Sequence, residues 1–449
     1  MTRTPGHDDD RYPLAPPADT PTLEADAAGA PQGALGRVRT FESFKHRDFT
    51  LFFSGALLSN VGSWMQMTAL GWLVYNLTGK SSAFGTVNFL SGAPVFFLII
   101  FTGALADHVD RRKLLIATQI VLMAQAAAFG ALASLGHVTI AWVYGLSLLG
   151  GIASAFMAPA WQAMTPDLVP KKTLMNAIAL NAAQFNAARL IGPMAAAAVI
   201  AIFGRNQSDG ITEVFYVNAA SFLFVIWALV IIRPKQHGAT KGPREKPVQM
   251  LLAGLKYAAE HRRVRMHLLT MVFISVFGMP FSTLLPAIAV QTLHVSSTGY
   301  SVLMAANGLG ALAGALGVAS LSGTVRREAI VRFGITVLAL GGFALSVSRS
   351  TLLTAAILTV MGAAFLACVS SVNTNLQTAV PPELRARVMS LFVLAFMGMM
   401  PFGALLFGWL GDLIGPSYAV TAGAVVLLAY SLVLLARPSL LCEAGEERC

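Results

Sequence analysis

Arg189 is the one charged residue near the middle of a long apolar run, in the stretch Arg189-Leu190-Ile191-Gly192-Pro193-Met194-Ala195-Ala196-Ala197. A guanidinium at mid-bilayer costs about 2.5–3.5 kcal/mol on insertion scales, so a water-filled cavity, a bonding neighbour or an anionic ligand must offset it. Two roles follow: contact with an anionic substrate or part in coupling, and a structural bond to an adjacent helix. Gly192 and Pro193 add a place where helices approach closely and bend. Other apolar runs also carry polar groups: Asn60, Ser63, Trp64 and Gln66; Asn88; Asn181, Gln184 and Asn186; Asn307; Asn373, Asn375 and Gln377. Inside lipid such groups mark a cavity face or an interhelical hydrogen bond. The substrate-binding candidates are Arg189, Asn60, Gln66, Asn88, Asn181, Gln184, Asn307 and Asn373. Met389, Met397, Met399 and Met400 add soft, adaptable contacts to one run.

A second cluster lies between two apolar runs, from Gly103 through Asp107, His108 and Asp110 to Arg111, Arg112 and Lys113. A carboxylate at such an edge suits a helix N-terminus, where it gains about 0.3–1 kcal/mol when exposed. The simpler reading of the cations is that they anchor orientation. Acids otherwise sit at the ends of runs (Asp48, Asp412), and none is at mid-depth. There is no GxxxxGK[ST] phosphate loop, no Cys/His cluster and no Ser-His-Asp layout. We therefore expect no enzyme, no metal and no cofactor. Cys368, Cys442 and Cys449 read as free thiols.

These residues need elements that hold them in lipid. Of 449 residues, 56% are hydrophobic and 12% charged, against about 25% charged in a soluble domain. The chain reads as an all-α integral membrane protein with twelve spans, the first near 49–77 and the last near 416–437. Placing the N-terminus in the cytoplasm puts all 31 lysines and arginines on the cytoplasmic side except Lys80, Arg205, Arg349 and the intramembrane Arg189. The net charge of +10 thus belongs beside the membrane, not in a nucleic-acid groove. The expected organisation is a disordered cytoplasmic tail (1–46), a six-helix half (47–232), a basic linker with an amphipathic helix (233–265), a second half (266–437) and a cytoplasmic tail (438–449). The halves echo each other: Leu168-Val169-Pro170-Lys171-Lys172 precedes span 5 as Val380-Pro381-Pro382-Glu383-Leu384-Arg385 precedes span 11.

The Gly103–Lys113 loop resembles motif A of the major facilitator superfamily (MFS). Phe44-Lys45-His46-Arg47-Asp48-Phe49, Leu77-Thr78-Gly79-Lys80-Ser81-Ser82 and Gly254-Leu255-Lys256-Tyr257 resemble the branch of enterobactin exporters and related drug and macrolide efflux proteins. Two residues depart from motif A, His108 for an Arg and Asp110 for a Gly. The stretch from Arg189 resembles a weakened antiporter motif, with alanines for the later glycines. The resemblance implies the MFS fold, two pseudo-symmetric halves, and a cavity lined by helices 1, 2, 4, 5, 7, 8, 10 and 11. Gln119, Gln125 and Asn218 fall outside that set. It implies an inner gate in which Asp107 meets the start of helix 11, with Gly103, Arg111 and Arg112 beside it. It further implies a monomer in the bacterial inner membrane that exports a siderophore, secondary metabolite or drug-like compound by alternating access, driven by the proton gradient. A lysophospholipid carrier and a non-transporting sensor or assembly factor are the alternatives.

Overall fold

The computed structural model describes residues 39–204, 210–232, 247–320 and 325–441, and the regular elements among them are helical. In hydrocarbon each backbone N–H and C=O must be satisfied within the protein, and a helix does so inside one segment. The first group is α1 (Arg47–Thr78), α2 (Ser81–His108), α3 (Arg111–Ser134), α4 (Ile140–Leu168), α5 (Leu174–Phe203) and α6 (Ile211–Ile231). The expected linker helix is α7 (Pro247–Glu260). The second group is α8 (Arg262–Phe273), α9 (Phe281–Gln291), α10 (Ser297–Ser320), α11 (Arg327–Val347), α12 (Thr351–Ala379), α13 (Pro382–Val393), α14 (Met400–Ile414) and α15 (Pro416–Ala436).

Among the described residues eleven segments are long and apolar enough to cross a bilayer. The twelfth long helix, α1, has 32 residues, but Asn60, Ser63 and Gln66 dilute its apolar character. Segments α8–α9 and α13–α14 each make one span, broken by a π-helical turn at Ile274–Gly278 and at Leu394–Gly398. Each turn stands just before a proline, Pro280 or Pro401. Proline supplies no N–H, so the ladder must break there. The wider turn absorbs the break, with the Met279 N–H reaching back to the Ile274 carbonyl at 2.9 Å.

Chain turns follow local chemistry. Gly79 ends α1 at φ +64°, its N–H bonded to the Tyr75 carbonyl. Asp110, which departs from motif A, caps α3 by accepting from the Arg112 and Lys113 N–H groups. The last residues of the segment expected to be a tail (1–46) are described. A 3-10 helix covers Arg39–Lys45, and the Ser43 N–H donates to Asn176 Oδ1 at 3.0 Å. Residues 1–38 and the tail beyond 441 lie outside the described residues.

Within the first group α1 packs on α5 and α6, α2 on α4, and α3 on α4 and α6; within the second, α10 packs on α12 and α11 on α12 and α15. Two large interfaces join the groups, α2 with α14 and α5 with α10. In span numbers these are 2 with 11 and 5 with 8, and exchanging the halves turns one pair into the other. That is the pseudo-twofold relation of an MFS transporter.

The bundle has a basic end, where Arg47, Arg111 and Lys171 lie, and a far end, where Ser81 and Asp412 lie. The far end is shut across the groups. Gln291 Nε2 donates to Tyr75 Oη at 2.6 Å, and Trp72 stacks on Tyr300 with centroids 5.9 Å apart. At the basic end α13 packs on α7 and α12. Ala386 and Ser390 of α13 are exposed there. Among the described residues, the side-chain contacts that shut one end of the bundle across the groups lie at the far end.

Candidate functional site

A cavity of about 350 Å³ lies near mid-depth between α1, α2, α3, α4, α5 and α6, within the size range of small-ligand pockets. One wall is a relay of neutral amides. Asn218 Nδ2 donates to Gln66 Oε1 at 2.8 Å, Gln66 Nε2 to Gln125 Oε1 at 3.3 Å, and Gln125 Nε2 to the Leu146 carbonyl at 2.9 Å. Asn60 and Asn88 also line the space, and Asn88 Nδ2 crosses to Thr283 Oγ1 of α9 at 3.3 Å. The buried Ser147 hydroxyl on this lining has no protein partner among the described residues. The rest of the lining includes four aromatic side chains, Trp64, Phe84, Phe185 and Phe222. Such a lining accepts a flat, partly apolar molecule and offers it neutral donors and acceptors.

The relay predicts its own fragility. Gln66→Leu removes the middle amide and strands donors or acceptors on Asn218 and Gln125, a loss of about 1–3 kcal/mol for each buried group left unpaired. A melting curve of the purified variant is expected to shift down by several degrees. An unchanged curve would mean that water replaces the amide.

Arg189, midway along α5, lies against Trp64 of the lining and outside the cavity itself. Its guanidinium carbon is 5.7 Å from the Trp64 ring centroid and 5.1 Å from that of Phe365 on α12. Nη2 donates to Asn307 Oδ1 on α10 at 2.9 Å, and Asn307 Nδ2 donates to the Leu358 carbonyl at 3.2 Å. Among the described residues no carboxylate pairs with Arg189. Two aromatic faces and a neutral amide offset part of the desolvation; a desolvated cation–π contact contributes about 2 kcal/mol. The charge itself stays uncompensated. The bond to Asn307 joins the two helix groups at their α5–α10 interface.

Gly192 sets this geometry. A Cβ there would lie 2.4 Å from the Trp64 Cβ and 2.9 Å from the Val61 carbonyl. Only glycine lets α5 approach α1 this closely, so that Trp64 covers the guanidinium. Pro193 follows inside the helix and is buried.

The other candidates fall elsewhere. Asn181 Nδ2 donates to Thr165 Oγ1 on α4 at 2.9 Å. Gln184 is buried, its Nε2 without a protein partner among the described residues. Asn373 accepts from Gln377 Nε2 on the same helix at 2.8 Å. None of the three lines the cavity. Helix–helix bonding takes up polar groups just as a cavity does, and the residue types alone do not separate the two. Conversely Gln125 and Asn218, in spans outside the expected lining, complete the amide relay. Gln66 and its partners were within reach of sequence reading as intramembrane amides. Phe365 carried no signal, because a phenylalanine on a span also fits lipid.

Of the expected gate, the backbones of Gly103 and Asp107 belong to the last turns of α2, but the Asp107 side chain lies outside the described residues. Arg111 pairs with Asp167 on α4 at 3.1 Å. Arg112 donates to the Leu229 and Val230 carbonyls at the end of α6, where a cation is favoured. Both arginines thus tie α3 to its own group in this conformer. Asp167 carried no sequence signal, since it ends a span like many acids. One buried titratable group also escaped sequence reading. His267 on α8 donates Nδ1–H to the Arg263 carbonyl at 2.8 Å, which can only accept, so Nε2 accepts from Asn375 Nδ2 at 3.1 Å and the ring is neutral.

The comparisons with known proteins agree with this architecture. The sequence profile of the family described as transmembrane secretion effector (MFS_3) matches residues 38–446. The multidrug efflux pump Tap of Mycolicibacterium fortuitum is 25% identical over 407 residues, covering 88% of this chain and 97% of Tap. The enterobactin exporter EntS of Escherichia coli is 25% identical over 395 residues, covering 87% and 91%. The staphyloferrin A transporter of Staphylococcus aureus is 26% identical over 266 residues, 58% of this chain and 64% of that relative. Among solved structures, the nucleoside transporter NupG superposes with a TM-score of 0.71 at 12% identity, covering 88% of this chain and 99% of NupG. The inward open xylose transporter XylE from E. coli gives 0.63 at 14% identity, covering 89% and 97%. With eleven apolar spans and the long α1 among the described residues, two exchanged interfaces and a profile match along nearly its whole length, the chain belongs to the transmembrane secretion effector family of MFS efflux transporters.

Proposed function

We propose that this protein exports a medium-sized, partly apolar compound carrying an anionic group, such as a siderophore, secondary metabolite or drug-like molecule. It does so by alternating access, as a monomer in the bacterial inner membrane with both termini in the cytoplasm, and draws on the proton gradient. The observation that carries this reading is Arg189, a mid-depth cation with no carboxylate partner among the described residues, beside an aromatic and amide-lined cavity. The basic end is then cytoplasmic, and the conformer faces inward. Substrate enters from the cytoplasm. The halves 47–232 and 266–437 rock about the α2–α14 and α5–α10 interfaces, and the cavity opens outward. The motif A residues Gly103, Asp107, Arg111 and Arg112 would hold the inner side shut in the outward state.

Everted membrane vesicles test this reading. Labelled catecholate and citrate-type siderophores, a macrolide and a lysophospholipid are offered with and without an acid interior. At least one of the first three is expected to accumulate, and accumulation should collapse when the pH gradient is dissipated. Transport of lysophospholipid alone, or no flux under any gradient, would overturn the proposal.

A further inference from the structure

Asp412 lies at the far end of α14, and its carboxylate grips a helix of the other half. Oδ1 accepts from the Ser81 N–H at 2.6 Å and Oδ2 from the Ser82 N–H at 3.1 Å. Ser81 and Ser82 open α2, so these N–H groups have no acceptor within their own helix. A carboxylate there gains two charge-assisted hydrogen bonds and the favourable end of the helix dipole. The cap comes from a residue 331 positions away and across the interface between the halves.

The helices beneath this contact touch backbone to backbone. A Cβ on Gly408 would lie 2.8 Å from the Ser81 carbonyl, and one on Gly85 would lie 2.6 Å from the Ala404 carbonyl. At this end the seam has no side chains to slide along, and nearer mid-depth Phe402 of α14 interlocks with Phe89 and Phe96 of α2, so α2 and α14 are either seated or apart. The other described far-end contacts between the halves, Gln291 with Tyr75 and Trp72 with Tyr300, join neutral groups. Asp412 alone brings a full charge to the closure among them. Asp412 is also exposed. When the seam parts, its carboxylate meets water and the α2 amides are rehydrated, so release strands no buried charge. A contact that is specific when made and cheap to break suits a gate better than a permanent clasp.

We propose that Asp412 is a positioning residue of the transport cycle, a latch that holds the far gate shut and is released each time the cavity opens to the far side. The proposal rests on the alternating-access reading above. α2 and α14 run antiparallel, so the Asp107 contact that the motif implies would sit at the opposite end of the same helix pair. Closing one end would then require leaving the other.

The test uses the full chain in lipid nanodiscs, with Cys368, Cys442 and Cys449 replaced by serine. Spin labels are placed at Leu77→Cys and His294→Cys, on the far ends of the two halves, and their distance distribution is recorded. The wild-type latch should give a dominant short distance and a minor long one. Asp412→Ala should raise the ratio of long to short by about 2- to 30-fold, the range spanned by deletion of helix N-caps. Asp412→Asn keeps one acceptor without the charge and should fall between the two. The Asn variant decides the matter if the Ala variant does not fold. Unchanged populations in folded variants, with two distances present in wild type, would overturn the latch. A single distance in wild type and in every variant would instead overturn alternating access itself.

Discussion

Arg189→Gln is expected to abolish export of an anionic substrate while leaving the folded yield close to wild type. Glutamine can still donate to Asn307 Oδ1, so the bridge from α5 to α10 survives. The charge does not. Removing one partner of a desolvated ion pair costs about 2–5 kcal/mol, or roughly 30-fold to several thousand-fold in binding. Arg189→Lys should retain part of the transport, because a compact ammonium keeps the charge but not the planar stack between Trp64 and Phe365. Asn307→Asp separates the binding role from the structural one. A carboxylate 2.9 Å from Nη2 would pair with Arg189 permanently. If the arginine only joins helices, this variant is stable and fully active. If it binds the substrate anion, the variant is stable and inactive. Flux of the substrate identified in vesicles, set beside melting temperature, distinguishes them.

Gly192→Leu should prevent recovery of a folded, monodisperse protein. The new Cβ would meet the Trp64 Cβ at 2.4 Å, the Val61 carbonyl at 2.9 Å and the Met65 nitrogen at 3.1 Å. These atoms are backbone or fixed to it, so α5 must lift from α1. Overpacking of a well-packed core costs about 1–3 kcal/mol where side chains can yield, and here they cannot. Gly192→Ala should show the same defect in smaller degree. Trp64→Ala should not rescue either variant, because alanine keeps the clashing Cβ. Size-exclusion profiles and melting temperatures check both statements. Rescue by Trp64→Ala would mean that the indole ring, not the helix approach, sets the spacing.

The architecture was legible because lipid enforces it. Long apolar runs, basic flanks on alternate loops and the echo of Val169-Pro170 in Val380-Pro381 leave few alternatives to two six-helix groups. Arg189 was legible for the same reason, since a charge at mid-depth needs an explanation. The faces were not legible. Gln125 and Asn218 turn to the cavity, whereas Asn181, Gln184 and Asn373 do not, and an amide satisfies a neighbouring helix as readily as a ligand. The π turns at Ile274–Gly278 and Leu394–Gly398 hid inside apolar runs, because a wider turn leaves no mark in hydropathy. Asp412 was visible as an acid at a span end, but its partners are backbone N–H groups, which leave no mark in side-chain pattern. The Asp107 gate stays a proposal from the motif, its side chain lying outside the described residues.

The central claim is one mid-depth cavity that faces one side at a time and faces the basic end here. Ser63 lines that cavity, so the direct measurement is labelling of Ser63→Cys, in the cysteine-free background, by a membrane-impermeant maleimide in everted and right-side-out vesicles. Labelling is predicted to be fast from the cytoplasmic face and slow from the outer face in wild type, with the outer rate rising in Asp412→Ala. Equal labelling from both faces, or fast labelling from the outer face alone, would contradict the account.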